Sequence, residues 1–375
     1  MNVLVTGGAG FIGIHLVRRL LHEGCSVAIL DNFNPQVHGS NQSLPMDLSD
    51  VVELYNADVR DLTALTRALA NRDAIVHLAA ETGTGQSMYQ ISRYQGVNIG
   101  GTAAILDVLI NCSDLRCSKV ILASSRAVYG EGKYSCIDHG FVYPGPRSVE
   151  CLKAGRYEPL CPICKGSCAA EATSEDSTLQ PLSLYGLTKR VQEDMVLMLA
   201  RSCGFSACAL RFQNVYGPGQ SLRNPYTGIL AIFSNLARSN SPIQIFEDGQ
   251  ESRDFVFVED VVEATWRCLA ADYCRADVFN VGTGQRTSVL EAAQEVVRYF
   301  RSSSNIKITG AFRKGDIRHN FADLSKMRTA TGFTPKVAFA EGLVYFLDWA
   351  ASQEEYVASY GLSLREMSER GLLHG

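Results

Sequence analysis

Val3-Leu4-Val5-Thr6-Gly7-Gly8-Ala9-Gly10-Phe11-Ile12-Gly13 joins a β-branched apolar run to a glycine-rich turn and the start of an amphipathic segment. Gly7 and Gly10 allow a tight turn whose backbone N–H groups approach a pyrophosphate, Gly13 lets the next helix pack closely, and the helix dipole favours the anion. A glycine cluster alone is equally consistent with a plain strand-to-helix turn. The second strand separates the two readings. It ends at Asp31, eighteen residues past Gly13, where a carboxylate accepts both ribose hydroxyls of NAD and repels the 2′-phosphate of NADP. A third strand ends at Asp58, which either accepts from an adenine amino group or caps the helix that begins near Leu62.

Outward from this turn, apolar runs at residues 3–6, 26–31, 52–55, 74–78, 119–124 and 207–211 alternate with helical periodicity at 11–23, 62–71, 97–111 and 185–202. The alternation predicts βαβ units in a doubly wound parallel sheet of the α/β class. Between 130 and 181 the periodicity stops, which predicts an irregular insertion. Short strands near 243–246 and 253–258 and helices near 287–300 and 338–350 predict a smaller α/β substrate-binding unit over the sheet's C-terminal edge. The expected division is 1–212 for the dinucleotide-binding domain, with 131–181 inserted and 254–285 returning to it, and 213–253 with 286–355 for the substrate domain. The segment after Gln353, rich in Ser, Arg and Glu, reads as loosely attached.

Composition narrows the function. The 375 residues are 46% hydrophobic and 20% charged with a net charge of −4, which excludes disorder and gives no basic surface for nucleic acid. No apolar run reaches the roughly 18 residues of a membrane span. The first strand follows Met1 directly, so a cytoplasmic protein is expected. Most of its twelve cysteines are therefore expected to be reduced.

Tyr185-Gly186-Leu187-Thr188-Lys189 places a phenol and an ammonium four apart on one helical face. A nearby Lys⁺ lowers a phenol pKa towards the range of a general base. Such a pair also arises by chance on exposed helices. A third member, a hydroxyl at the end of a central strand, is supplied by Ala123-Ser124-Ser125-Arg126-Ala127-Val128-Tyr129-Gly130, and the combination is specific.

These motifs resemble the extended short-chain dehydrogenase/reductase family, in its nucleotide-sugar epimerase and dehydratase group, over nearly the whole chain to about residue 352. The likeness includes His77-Leu78-Ala79-Ala80, Asn98, Arg211-Phe212-Gln213-Asn214-Val215-Tyr216-Gly217-Pro218, Arg253-Asp254-Phe255 and Asn280-Val281-Gly282. It implies a Rossmann-type sheet with NAD lying against Gly7, Gly10, Phe11, Ile12, Gly13, Asp31, Asn32, Asp58, Val59, Leu78, Ala79, Ala80, Asn98 and Ser124. It makes Ser125 the catalytic hydroxyl, Tyr185 the base, and Lys189 the ribose ligand that tunes Tyr185. Asn214, Arg253 and Arg318 are implied to contact the nucleotide-sugar substrate. Helices 97–111 and 185–202 pair across a two-fold axis in similar proteins, which implies a homodimer.

Relatives that dehydrate carry Asp-Glu just after the catalytic hydroxyl, where this chain has Arg126 and Ala127. Without that second acid and base, the resemblance points to 4-epimerisation by hydride removal at C4, rotation of the 4-keto sugar and hydride return. Residues 81–88, 224–228 and 315–319 resemble the dTDP-L-rhamnose 4-epimerase subgroup, whose product is dTDP-6-deoxy-L-talose. The alternatives are a UDP-hexose or UDP-uronate 4-epimerase, a nucleotide-sugar dehydratase or reductase, and a non-catalytic NAD-sensing protein. Gln213 departs from the Phe usual in relatives. Arg126 is also unusual, and either reaches a substrate hydroxyl or points to solvent.

The insertion is shared by that subgroup. It carries Cys136-Ile137-Asp138-His139 and Cys161-Pro162-Ile163-Cys164, a CxxH followed by a CxxC. Such knuckles supply a closed Cys₃His set for structural zinc, with Cys151 and Cys168 as substitutes, although unrelated thiols in a loop give the same pattern. Because the insertion leaves after Ser125 and returns at Tyr185, it is expected at the active-site mouth, gating substrate.

Overall fold

Residues 1–40, 42–224, 226, 228–271, 276–354 and 360–375 are described by the computed structural model. Pro225 and Thr227 of the stretch quoted above, and residue 355 at the expected domain end, lie outside the described residues.

Seven parallel strands form the main sheet: β1 (Asn2–Thr6), β2 (Ser26–Asp31), β3 (Glu53–Asn56), β4 (Ala74–His77), β5 (Lys119–Ser125), β6 (Ser206–Phe212) and β7 (Asp277–Val281). Their order is β7-β6-β5-β4-β1-β2-β3, with Val5 of β1 between Ile29 and Val76. The inner strands are continuous apolar runs because helices cover both faces. These are α1 (Phe11–His22), α2 (Leu62–Leu69), α3 (Gly101–Asn111), α4 (Leu184–Cys203) and α5 (Val258–Ala270). Leu16, Val17 and Leu20 of α1 meet Val261 and Ala264 of α5 on one face. Leu65, Ile105 and Val196 of α2, α3 and α4 fill the other. The chain leaves β1 towards β2 while β4 lies on its other side, and this reversal opens a crevice at the strands' C-terminal ends.

β7 joins the sheet beside β6. Its sequence, Asp-Val-Phe-Asn-Val, is too polar to announce a strand by periodicity alone. The cap of α2 is Asp61, whose side chain accepts from the Ala64 N–H at 3.0 Å, so Asp58 is free of that duty.

A second core lies over the crevice. Helices Ile229–Arg238, Val289–Phe300 and Phe339–Ser352 pack Phe233, Val296 and Phe346 against the short strands Ile243–Ile245 and Phe255–Phe257. The insertion is a small antiparallel sheet of Tyr134–Cys136, Gly140–Val142 and Ala169–Ala170. It docks through two buried arginines. Arg147 pairs with Glu131 at 3.1 Å and Glu247 at 2.7 Å, and Arg318 pairs with Glu158 at 2.6 Å, Asp248 at 2.7 Å and Glu247 at 3.1 Å.

The C-terminal segment is attached, contrary to the expectation from its polar composition. In the helix Tyr360–Glu369, Met367 is buried and Glu366 accepts from the hydroxyls of Tyr89 and Tyr226 at 2.7 and 2.9 Å. Leu373–His374 then pairs with Phe312–Arg313. Its amphipathic apolar positions and one acid find partners on the rest of the fold. Among the described residues no helix is long and apolar enough to cross a membrane.

Candidate active site

A cavity of about 480 Å³ runs along the C-terminal ends of the sheet, beneath the second core. One end is walled by Gly7, Gly10, Phe11, Ile12, Gly13, Asp31, Asn32, Asp58, Val59, Leu78, Ala79 and Ala80. Gly7 has φ +69°, and a Cβ there would stand 2.7 Å from the Ala79 backbone N, so the turn admits only glycine without a shift. Asp31 accepts from the N–H groups of Ala9 and Phe33 at 3.0 and 2.9 Å, which fixes its carboxylate at the cavity edge. Asp58 is held by Arg60 at 2.7 Å, and this hydrogen bond keeps its carboxyl below the usual range. An open helix N-terminus, a fixed carboxylate at the end of β2 and a second one at Asp58 suit the pyrophosphate, ribose and adenine of a dinucleotide. Asn98 is a correction. It does not line the cavity, because its Oδ1 accepts from Glu81 N and its Nδ2 donates to Glu81 O and Thr188 Oγ1, fixing the loop after Ala80 instead.

In the middle of the cavity β5 delivers Ser124 and Ser125, and the first turn of α4 delivers Tyr185 and Lys189. Ser183 caps α4 by accepting from the Gly186 N–H at 3.1 Å. A Cβ on Gly186 would lie 2.5 Å from the Ala127 carbonyl oxygen, so glycine lets α4 press onto the end of β5. That close approach brings Tyr185 to Ser125. Burial raises the Tyr185 phenol above its ordinary pKa, and a hydrogen bond with Ser125 and the Arg126 charge work against the rise. Lys189 donates to the Ala123 carbonyl at 2.9 Å, with its ammonium 6.0 Å from the centre of the Tyr185 ring. Burial lowers Lys189 to about 7. The Arg126 charge is thus a cation acting on Tyr185 that the sequence reading did not assign. Ser124 hydrogen-bonds Glu193, which pairs with Arg211 at 2.7 Å behind the site.

The far end is walled by Glu81, Arg126, Gln213, Asn214, Asn224, Tyr226, Asp316 and Ile317. Arg126 lies in this wall, and its Nε donates to Asn214 Oδ1 at 2.7 Å. Gln213 donates to Asn320 Oδ1 at 3.2 Å while its own Oε1 is buried without a partner. Arg253 and Arg318 are outside the cavity lining. Arg253 stands behind Asp316, 3.2 Å from its Oδ1, and donates to the Ser252 and Arg318 carbonyls. Arg318 is corrected more firmly, since its guanidinium is taken up by Glu158, Glu247 and Asp248. Burial works to raise the Asp316 carboxyl, but Arg313, Arg253 and Arg147 overcome it and hold the group well below the usual range. Asp316 received no role from the sequence, where only its place in a quoted motif marked it.

None of the lining residues falls between 130 and 181, so the insertion does not form the mouth. It lies behind the wall, where Arg147 donates to the Asp316 carbonyl at 2.9 Å and Tyr157 to that of Gly310 at 3.4 Å. Buried charge pairs hold the segment there, with Arg147 paired to Glu131 and Glu247. Within it, the ligand atoms of Cys136, His139, Cys161 and Cys164 all lie within 4.8 Å of one another. Cys136 Sγ is 3.6 Å from His139 Nδ1 and 3.7 Å from Cys164 Sγ, close to the ~3.8 Å edge of a tetrahedron with 2.3 Å zinc–sulfur bonds. Cys168 donates to the Pro159 carbonyl instead.

Comparison with known proteins agrees with this arrangement. Residues 3–147 and 162–282 match the model of the NAD dependent epimerase/dehydratase family. A dTDP-L-rhamnose 4-epimerase from Burkholderia thailandensis is 38% identical over 94% of this chain and 95% of its own. A UDP-glucose 4-epimerase from Mycolicibacterium smegmatis is 30% identical over 95% of this chain and 100% of its own. Among solved structures, MoeE5 in complex with UDP-glucuronic acid and NAD has a TM-score of 0.75 at 28% identity, covering 94% of this chain and 99% of its own. The UDP-N-acetylglucosamine 4-epimerase of Methanobrevibacter ruminantium reaches a TM-score of 0.76 at 27% identity with the same coverage. The chain belongs to the NAD dependent epimerase/dehydratase family, in the extended short-chain dehydrogenase/reductase group of enzymes.

Proposed function

We propose that the protein is a nucleotide-sugar 4-epimerase, an isomerase, that converts dTDP-L-rhamnose to dTDP-6-deoxy-L-talose. The observation that carries this reading is the meeting of Ser125, Tyr185 and Lys189 in one cavity whose following positions, Arg126 and Ala127, offer no second carboxylate. The identity of 38% to a dTDP-L-rhamnose 4-epimerase supports the substrate. Glu81, an alternative acid in the cavity wall, is paired with Arg93 at 2.8 Å.

Tyr185 takes the proton of the C4 hydroxyl, and Ser125 holds that oxygen by a hydrogen bond. Bound NAD supplies a reversible hydride acceptor. Gly7, Gly10, Phe11, Ile12, Gly13, Asn32, Val59, Leu78, Ala79, Ala80 and Ser124 line its channel, Asp31 and Asp58 hold its ribose and adenine, and Lys189 its second ribose. Asn214 contacts the substrate diphosphate. The 4-keto sugar turns over within the sugar end of the cavity, hydride returns to its other face, and Tyr185 returns the proton.

A UDP-hexose or UDP-uronate is the second reading, favoured by the cationic Arg126 in the sugar-end wall. Proton NMR in D₂O with dTDP-L-rhamnose and no added NAD tests both. A new 4-epimer with no solvent deuterium is expected. Deuterium at C3 or C5 would overturn the mechanism, and turnover of UDP-sugars alone would overturn the substrate.

Cys136, His139, Cys161 and Cys164 hold a structural zinc, since four protein ligands leave no open position. Elemental analysis of protein purified without chelator is expected to give one zinc per chain. Cys161→Ser is expected to lose it and melt at lower temperature, whereas a metal-free wild-type protein of unchanged stability would refute the site. In the cell the reading is of a cytoplasmic homodimer. Ile110 on α3 and Leu187 and Met198 on α4 support the pairing, because all are exposed apolar residues on the helices concerned.

A further inference from the structure

Arg126 carries neither the proton nor the hydride, and beyond its charge on Tyr185 it occupies the cavity wall beside them. β5 ends in the 3-10 turn Arg126–Val128, which sends the Arg126 side chain to Asn214. Its Nε donates to Asn214 Oδ1, so the amide is oriented with Nδ2 left as a donor. Arg126 Nη1 is buried and has no hydrogen-bond partner. The carboxylates nearby are engaged elsewhere. Asp316 binds Arg253 and Arg313, while Asp254 accepts from Thr283, Gly284 and Ala322. A buried guanidinium with an unused N–H, a second guanidinium behind it and an amide donor at its side form an incomplete oxyanion site.

We propose that Arg126 and the Asn214 amide clamp an anionic oxygen of the nucleotide sugar, the β-phosphoryl oxygen at the sugar end of the diphosphate. The inference rests on the nucleotide-sugar reading and adds a ligand to it. Burial and the Arg253 charge lower Arg126 to about 9, and an arriving oxyanion relieves both effects. A carboxylate on the sugar offers the same chemistry from a different source.

Calorimetric titration of the NAD-loaded enzyme and its Arg126→Met and Arg126→Lys variants separates these cases. With dTDP the Met variant is expected to bind about 10- to 100-fold more weakly, the scale of a charged hydrogen bond. With dTMP, which lacks the β-phosphoryl group, the loss is expected to stay within about threefold, and Lys is expected to restore part of the dTDP affinity. Unchanged dTDP affinity with weakened UDP-glucuronate but not UDP-glucose binding would support the clamp with the carboxylate as its ligand. Equal losses for dTDP and dTMP, or no loss for any probe, would overturn the clamp. Failure of the wild-type enzyme to bind either dTDP or UDP would instead overturn the nucleotide-sugar reading. Bound NAD and the thermal melt, measured on each variant, exclude a general loss of structure.

Discussion

Tyr185→Phe is expected to lower kcat by about 10²- to 10⁴-fold, the usual worth of a positioned general base, while leaving dTDP affinity within about threefold. The phenol ring keeps its packing in the variant, and only the proton carrier is removed. The size of the effect follows from the site. Tyr185 is half-buried in the cavity wall, and desolvation there raises its pKa, so the base works at the one place the bound sugar covers. Ser125 and Arg126 lower the cost of forming phenolate there, and Lys189 is fixed by the Ala123 carbonyl. Stopped turnover with retained NAD and dTDP is the pattern that assigns Tyr185 the proton. A variant that keeps more than about a tenth of wild-type kcat would remove Tyr185 as the base and return attention to Glu81 and Asp316.

The second large effect is on stability. Arg147→Met leaves Glu131 and Glu247 as buried carboxylates that have lost their shared cation, and removing one partner of such a group costs about 3–5 kcal/mol. Urea unfolding at pH 7.5 reads the loss. Adding Glu131→Gln to Arg147→Met is expected to recover part of it, because the neutral amide still accepts from the Arg318 N–H, as Glu131 does at 2.7 Å. A cost below about 1 kcal/mol would show that the insertion docks by other contacts.

Glu131 also gives this junction a pH dependence. Burial, acting against the pull of Arg147, raises its carboxyl to about 7 in the folded protein from an ordinary value near 4.5. A raised pKa means the folded state holds its proton more tightly than the unfolded state. The stabilising contribution is therefore complete below about pH 4.5 and is lost as pH rises through 7. Glu131→Gln is expected to flatten that part of the stability curve.

The dinucleotide end was legible in the sequence because its determinants are local. A strand, a glycine turn and a helix follow one another within residues 2–22, and Asp31 ends the next strand, so spacing alone fixes which groups share one edge. Ser125, Tyr185 and Lys189 were legible for a similar reason, since each sits at the end of an element whose type the pattern declares. The Cys₃His group was visible in two short spacers, and folding brought the two knuckles together.

The remaining placements depended on long-range competition for charge. A list of arginines near a motif does not say which carboxylate each will meet. Arg318 met Glu158, Glu247 and Asp248 and left the substrate, while Asn98 was spent on Glu81 and Thr188. The insertion lies outside the cavity lining and is held there by Arg147, which is paired with Glu131 within it and Glu247 beyond it. The tail, polar in composition, found buried space for Met367 and two hydroxyls for Glu366. Periodicity and spacing thus determined the sheet, the glycine turn with Asp31 at its edge, and the element ends on which Ser125, Tyr185 and Lys189 sit, all of which depend on neighbours in sequence. Only the tertiary structure decided which charges are paired and which, like Arg126 in the cavity wall, keep a buried donor without a partner, because that balance is struck between residues far apart in the chain.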